Sequence, residues 1–402
     1  MQHQCGLPRI NDGSFLFLQH MISKMKPVEE GGSRLAIVFN GSPLFTGDAG
    51  SGESNIRRWI IENDWLDAIV ALPDQMFYNT GIYTYIWLVN NKKPKARQGK
   101  VQLIDGTRHY QKMKKSLGNK RNELGDHHIT DLVKLYGDNK HNAKSATGAD
   151  AKGEKRICSK IFDNRDFGFL KITVERPLRL NFEISAERIE RLKQHSAFAN
   201  LATSKKTKNT QAAAAEIAAG EQQQQAILDL LASLASDARY TNREEFEAML
   251  DATLKQADIK IGGPLRKAML AALSERDPQA DICTDGRIHK GGHPEPDADL
   301  RDTEIVPLPS NIKLPLPLGY DNETGHDKLL KLVKGHCEEY LKREVLPHVP
   351  DAWIDHGKTK VGYEIPLNRH FYVYQPPRAL GEIEADIKAL ESEIMTMLSE
   401  VV

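Results

Sequence analysis

The sequence predicts an α/β fold, and three observations predict it. Short apolar runs alternate with helical spacing through the first third. A long stretch in the middle reads as helix. The last 23 residues carry a heptad seam.

Ser14 to Met25 places Phe15, Leu18, Met21, Ile22 and Met25 at helical spacing, and Gly31-Gly32 follows it. Leu35 to Phe39 is a continuous apolar run, expected as a strand buried on both faces. Ser54 to Asn63 reads as a helix, with Ser54 as N-cap and Ile56, Trp59 and Ile60 on one face. Leu66 to Leu72, Tyr83 to Val89 and Val101 to Ile104 read as further strands, the second of them β-branched and aromatic. Strands and helices joined by short loops imply a sheet that is at least partly parallel.

The expected organisation has five parts. Residues 1–136 form the sheet domain, 137–184 a linker and mixed extension, and 185–275 a helical region. Residues 276–325 form an irregular Pro/Gly/Asp-rich connector, and 326–402 a C-terminal helical docking region. The Ala/Gln-rich Gln211 to Ala226 is expected as a solvated or poorly ordered helix. In the last segment Leu380, Ile383, Ile387, Leu390, Ile394, Met397 and Val401 alternate at spacings of three and four, an a/d pattern that needs a partner helix. That partner is either this chain's own helices or another subunit.

Lysine plus arginine and aspartate plus glutamate number 55 each, so any nucleic-acid contact must come from local patches rather than net charge. Cys5, Cys158, Cys283 and Cys337 form no CxxC pair, which points to a reducing compartment. No signal-type start and no apolar stretch of about 18 residues is present, so no membrane partner and a cytoplasmic location are expected.

The glycine cluster Gly47 to Gly52 invites a dinucleotide or P-loop reading. Asn55 stands where GxGxxG needs its third glycine, and no Gly-Lys-Ser/Thr follows, so a flexible loop is expected instead. Cys283, His289 and His293 do not complete a tetrahedral metal set, and no metal is expected. His127-His128 reads as surface, and there is no GxSxG, HExxH or kinase signature.

Leu72 to Thr84 carries more. A strand ends, Pro73 turns the chain, and Phe77 and Tyr78 fall in the loop that follows. Such aromatics can stack on a base taken out of its duplex, or Phe77 can be core and Tyr78 a loop anchor. Lys112, Lys114, Lys115, Lys120 and Arg121 form a basic cluster, and Arg57 and Arg58 sit early in a helix. These are the candidate phosphate contacts, against the reading of a solvated face.

Longer strings carry a resemblance. Gly6 to Ser14, Gly32 to Phe45, Ser54 to Ile61, Ala71 to Asp74, Phe77 to Thr80, Lys115 to Lys120, Thr173 to Asn181 and Arg343 to Arg378 resemble the modification subunit of type I restriction–modification systems. The resemblance implies an adenine-N6 DNA methyltransferase that uses S-adenosylmethionine and works with a specificity subunit and a restriction subunit. It implies the C-terminal half of a Rossmann-like methyltransferase sheet, then a mainly helical region ending in a coiled-coil-like helix that docks on the specificity subunit. It strengthens the reading of Phe77 or Tyr78 as a residue that stacks on the target adenine, beside the reading of core and loop anchor. The family's glycine-rich cofactor turn and Asn-Pro-Pro-Phe loop have no counterpart here, since Gln375-Pro376-Pro377-Arg378 is out of context. The expectation is a polypeptide matching the family from just after that loop onward, from a truncated or split gene, a misplaced start or an isolated fragment, and inactive alone. The alternative is a non-catalytic assembly module.

Overall fold

The apolar runs become one sheet. In this computed structural model, which describes residues 5–147, 153–204, 210–284, 292–321, 323–374 and 376–399, the first elements follow in chain order. They are α1 (Ser14–Ser23), β1 (Arg34–Phe39), α2 (Ser42–Phe45), α3 (Gly52–Glu62), β2 (Leu66–Leu72), β3 (Thr84–Asn90) and β4 (Lys100–Asp105). Then come β5 (Gln111–Leu117), β6 (Lys120–Glu123), α4 (Asp126–Asp138), β7 (Ala143–Ser145) and β8 (Arg156–Asp163).

The sheet order is β1-β3-β2-β4-β8-β7. Every residue of β2 is buried; the apolar run 68–72 accounts for most of it, and the one charged member, Asp67, is paired to Arg97 at 2.6 Å and to the Tyr136 hydroxyl at 2.6 Å. Only β2 and β4 pair in parallel; the other neighbours are antiparallel. The expectation of a partly parallel sheet therefore reduces to one parallel pair. β1 differs from its expectation too. It is an edge strand, and Val38 is 48% exposed. Apolarity alone does not say whether a strand is covered on both faces.

Packing fixes the helices on this sheet. Phe15 of α1 meets Phe39 and Trp87 edge-on, with ring centroids 6.1 and 6.0 Å away. Leu132 and Leu135 of α4 pack with Val70, Leu72, Ile104 and Cys158. Burying each such leucine contributes about 2 kcal/mol. The N-cap of α3 is Ser51, whose hydroxyl accepts from the Ser54 amide, rather than Ser54 itself.

The chain divides into two compact units, the first comprising 1–168, 312–324 and 362–402 and the second 169–311 and 325–361. The second unit holds β9 (Gly168–Glu175), β10 (Leu180–Phe182), α5 (Ala186–Gln194), α6 (Ser196–Ala199), α7 (Thr210–Ser233), α8 (Arg243–Gln256) and α9 (Gly263–Leu273). It continues with β11 (Ser274–Arg276), β12 (Asp302–Pro307), α10 (His326–Tyr340) and β13 (Trp353–Ile354). β9 lies between β12 and β13, and α5 to α9 close on a core that includes Phe182, Leu192, Phe246 and Met269. The Ala/Gln-rich stretch lies in α7, whose Ile227 and Leu231 are fully buried in that core. The expected linker 137–184 supplies β7, β8 and β9, and the expected connector 276–325 contains β12.

The chain ends with β14 (Lys360–Tyr363), α11 (Leu367–Phe371) and α12 (Leu380–Ser399). α12 has no buried residue. Leu380, Ile383, Ile387, Leu390, Ile394 and Met397 are all exposed, and Val401 lies outside the described residues.

Candidate nucleic-acid interface

Phe77 and Tyr78 stand at the end of the sheet where β2 and β4 finish. Between β2 and β3 the chain makes a tight turn, with Gln75 and Asn79 at positive φ and Phe77 bridged to Thr80. Phe77 is 40% and Tyr78 67% exposed, which disfavours Phe77 as core.

The loop is held by the basic hairpin β5–β6. The amides of Arg121 and Asn122 both donate to the Gln75 carbonyl, at 3.0 and 3.2 Å. The Asn122 amide group donates to the Asp74 carbonyl at 2.8 Å and to its carboxylate at 3.1 Å. Asn122 is 1% exposed, so these bonds form away from water and fix the loop against β6. The turn joining the two strands lies against Tyr78. A Cβ on Gly118, whose φ is +58°, would sit 3.0 Å from the Tyr78 ring. Glycine thus serves both the left-handed backbone and the close approach.

Four of the five hairpin cations are without an ion-pair partner among the described residues. Of these, Lys114, Lys115 and Arg121 are exposed and Lys120 is half-buried. Lys112 is tied down. Its ammonium donates to Asn122 Oδ1 at 2.8 Å and lies 5.2 Å from the centre of the Tyr110 ring. At the base of the hairpin the Gly125 amide donates to His128 Nδ1 at 3.0 Å, at the start of α4. His128 is therefore buried rather than on the surface. Burial, then the neighbouring His127 and His109, hold its pKa below the ordinary histidine value.

Arg57 and Arg58 do not face a ligand. They are 0% and 1% exposed. Arg57 donates to the carbonyls of Tyr363, Pro43 and Thr46 at 2.6, 3.2 and 2.8 Å. Arg58 donates to Glu62 at 3.1 Å and to the carbonyls of Gly319 and Leu318, and it stacks on Tyr320 at 4.5 Å. The hydroxyls of Tyr363 and Tyr320 complete the Glu62 carboxylate, each at 3.1 Å. A guanidinium has five donors, and irregular segments bring carbonyls that lack partners. The two arginines satisfy those carbonyls, and so fasten Leu318, Gly319 and Tyr363 onto α3.

The glycine cluster is likewise occupied by the chain itself. A Cβ on Gly52 would lie 1.7 Å from the Leu7 carbonyl oxygen, and the Arg9 amide donates to Glu53 at 3.0 Å. The N-terminal segment fills the space where a phosphate or cofactor would approach the start of α3, so these residues do not fit S-adenosylmethionine. One constellation has the members of a nucleophilic triad but not their order. His109 Nε2 is 2.9 Å from Asp131 Oδ2, and the Ser145 hydroxyl donates to that same oxygen rather than to the histidine. The four cysteines are free and buried, and burial pushes the thiols of Cys5, Cys158 and Cys337 up to about 11. His293 stacks on Trp353 at 5.0 Å, Cys283 is buried, and His289 lies outside the described residues. No helix among the described residues is long and apolar enough to cross a membrane.

Asn122 and Gly118 escaped the sequence reading. A lone asparagine or glycine in a charged hairpin gives no signal until the loop it holds is seen.

Residues 2–156 match the N-6 DNA Methylase family model. The MjaIX methylase subunit of a type I restriction enzyme from Methanocaldococcus jannaschii is 31% identical over 130 residues, 32% of this chain and 21% of that protein. The HindI methylase subunit from Haemophilus influenzae is 37% identical over 100 residues, 25% of this chain and 21% of that protein. The chain thus spans about a fifth of the length of these curated relatives. A type I methyltransferase subunit from Streptococcus thermophilus aligns at TM-score 0.30 with 24% identity, over 39% of this chain and 28% of that one. Residues 2–156, which carry most of the sheet, the aromatic loop and the basic hairpin, therefore resemble the N-6 DNA Methylase family, and over 130 and 100 residues the chain is similar to methylase subunits of type I restriction enzymes.

Proposed function

We propose that this chain is a modification-subunit polypeptide of a type I restriction–modification system. Once its catalytic assembly is complete, it serves transfer of a methyl group to N6 of adenine in DNA. The observation that carries the proposal is the aromatic loop clamped by a basic hairpin at the end of β2. Exposed rings suit an extruded base, and exposed cations suit the phosphates beside it. The strand directions support a Rossmann-like origin. β1 and β2 both run antiparallel to β3, and β4 runs parallel to β2, so three strands share one direction.

S-adenosylmethionine would supply the methyl group. The Gly52 end of the turn is filled by Leu7, so the cofactor would be held by residues other than these, and the chain by itself should not bind it. Isothermal calorimetry tests this. No heat of binding with S-adenosylmethionine is expected, and tight one-to-one binding would overturn it.

The second reading is an assembly module, and α12 favours it. An a/d seam with no buried residue matches a coiled-coil-like helix that docks on another subunit, here the specificity subunit, with the restriction subunit joining the full complex. Deleting residues 379–402 should abolish co-purification with the specificity subunit; retained co-purification would count against α12 as the dock. The working site is the cytoplasm, where its DNA lies.

A further inference from the structure

We propose that a second cleft of the same unit binds the phosphodiester backbone of a nucleic-acid strand. The inference rests on the DNA-facing reading of the aromatic loop.

The cleft has a volume of about 800 Å³, and it is lined from the end of β4, the loop after it, β7, the start of β8 and residues 367–373. Its lining contains five cationic side chains and two carboxylates, Asp105 and Glu154. Arg156 neutralises Asp105 at 2.6 Å. Lys160 donates to the His370 carbonyl at 2.6 Å. Burial, then Lys160 and Arg369, hold the His370 imidazole below its ordinary pKa. The remaining cations, Arg108, Lys144 and Lys155, are exposed and form no ion pair with a described residue. The excess positive charge is thus lysine and arginine charge, present at any physiological pH.

Two exposed rings stand among these cations, Tyr83 at 47% and Tyr372 at 71% exposure. Cations interleaved with aromatic faces are the pattern by which a strand is gripped along its phosphates while its bases stack. A free nucleotide is held by a few converging, mostly buried polar groups. Here the three free cations come from three separate segments and none is buried, which matches repeated phosphates better than a single one. Tyr83 ends the loop that carries Phe77 and Tyr78, so a strand leaving that loop has this cleft beside it.

Fluorescence anisotropy of the full chain with a labelled duplex and with its separate strand, across a salt series, tests the inference. The double variant Lys144→Glu/Lys155→Glu is compared with the hairpin variant Lys114→Glu/Lys115→Glu, each checked for unchanged melting. The cleft variant should weaken binding by about tenfold or more and lower the salt slope by about 2, the two contacts removed. Tyr372→Ala should weaken the single strand more than the duplex. If the hairpin variant loses affinity while the cleft variant keeps both affinity and slope, the cleft is not a strand site, yet the reading of the loop stands. If the wild-type chain binds neither DNA even at low salt, both fail. If deoxyadenosine monophosphate displaces the strand and itself binds the cleft variant more weakly, the site takes free nucleotides and the strand assignment is overturned.

Discussion

Replacing Asn122 with alanine should loosen the aromatic loop without unfolding the sheet. The substitution removes two donors, to the Asp74 carbonyl at 2.8 Å and to its carboxylate at 3.1 Å, and the acceptor of the Lys112 ammonium at 2.8 Å. A neutral bond contributes about 1 kcal/mol and one to a charged group about 1.5–3 kcal/mol. Asp74 is only half-buried, so water replaces part of that, and the two amide bonds to Gln75 survive. The net local loss is then about 1–2 kcal/mol, which corresponds to opening roughly 5- to 30-fold more frequent. Amide hydrogen exchange reads it directly. Residues 74–80 should exchange faster by that factor while the β2 amides, buried throughout, keep their protection. Asn122→Asp should do more, because it cannot donate and sets a second carboxylate against Asp74. Unchanged exchange over 74–80 in both variants would refute the claim that the hairpin holds the loop.

Three further outcomes follow from the same geometry. Arg58→Met should cost about 3–5 kcal/mol, because it leaves the Glu62 carboxylate buried without its cation; a melting temperature within a degree of wild type would contradict the assignment. Gly52→Ala should displace the N-terminal segment from α3, since the new methyl group would overlap the Leu7 carbonyl, and limited proteolysis should then cut within residues 5–13. The start of α4 should loosen in acid. The folded pKa of His128 lies below its unfolded value of about 6.5, so the stability it contributes is complete above that pH. That stability is lost as pH falls through the folded value, when a protonated Nδ1 can no longer accept from the Gly125 amide. His128→Asn should flatten the pH dependence of exchange at 125–129.

The strands were legible because their chemistry is local. Leu66–Leu72 is apolar at every position but Asp67, and the structure makes it a strand over those same residues. Whether a strand sits inside a sheet or at its edge is not local, and the run at 35–39 gave no warning that Val38 would be exposed. Charge misled in the same way. Arg57 and Arg58 read as surface, yet their partners lie about 260 and 306 positions away in sequence, in segments that return to α3. The hairpin lysines and Phe77-Tyr78 were visible as residue types. What they stand on, Asn122 and Gly118, was not, because a single side chain acquires that role only from the loop packed against it. The seam of α12 was read correctly as helical, and its spacing does not name a partner.

Photo-crosslinking tests the central claim most directly. Duplex DNA carrying 5-iodouracil is irradiated with the full chain and the joined peptides are mapped. Crosslinks are expected at Phe77 or Tyr78 and in the Gln111–Glu123 hairpin, lost when Lys114 and Lys115 become glutamate. Crosslinks confined to residues 169–311, with none in the loop or the hairpin, would contradict it.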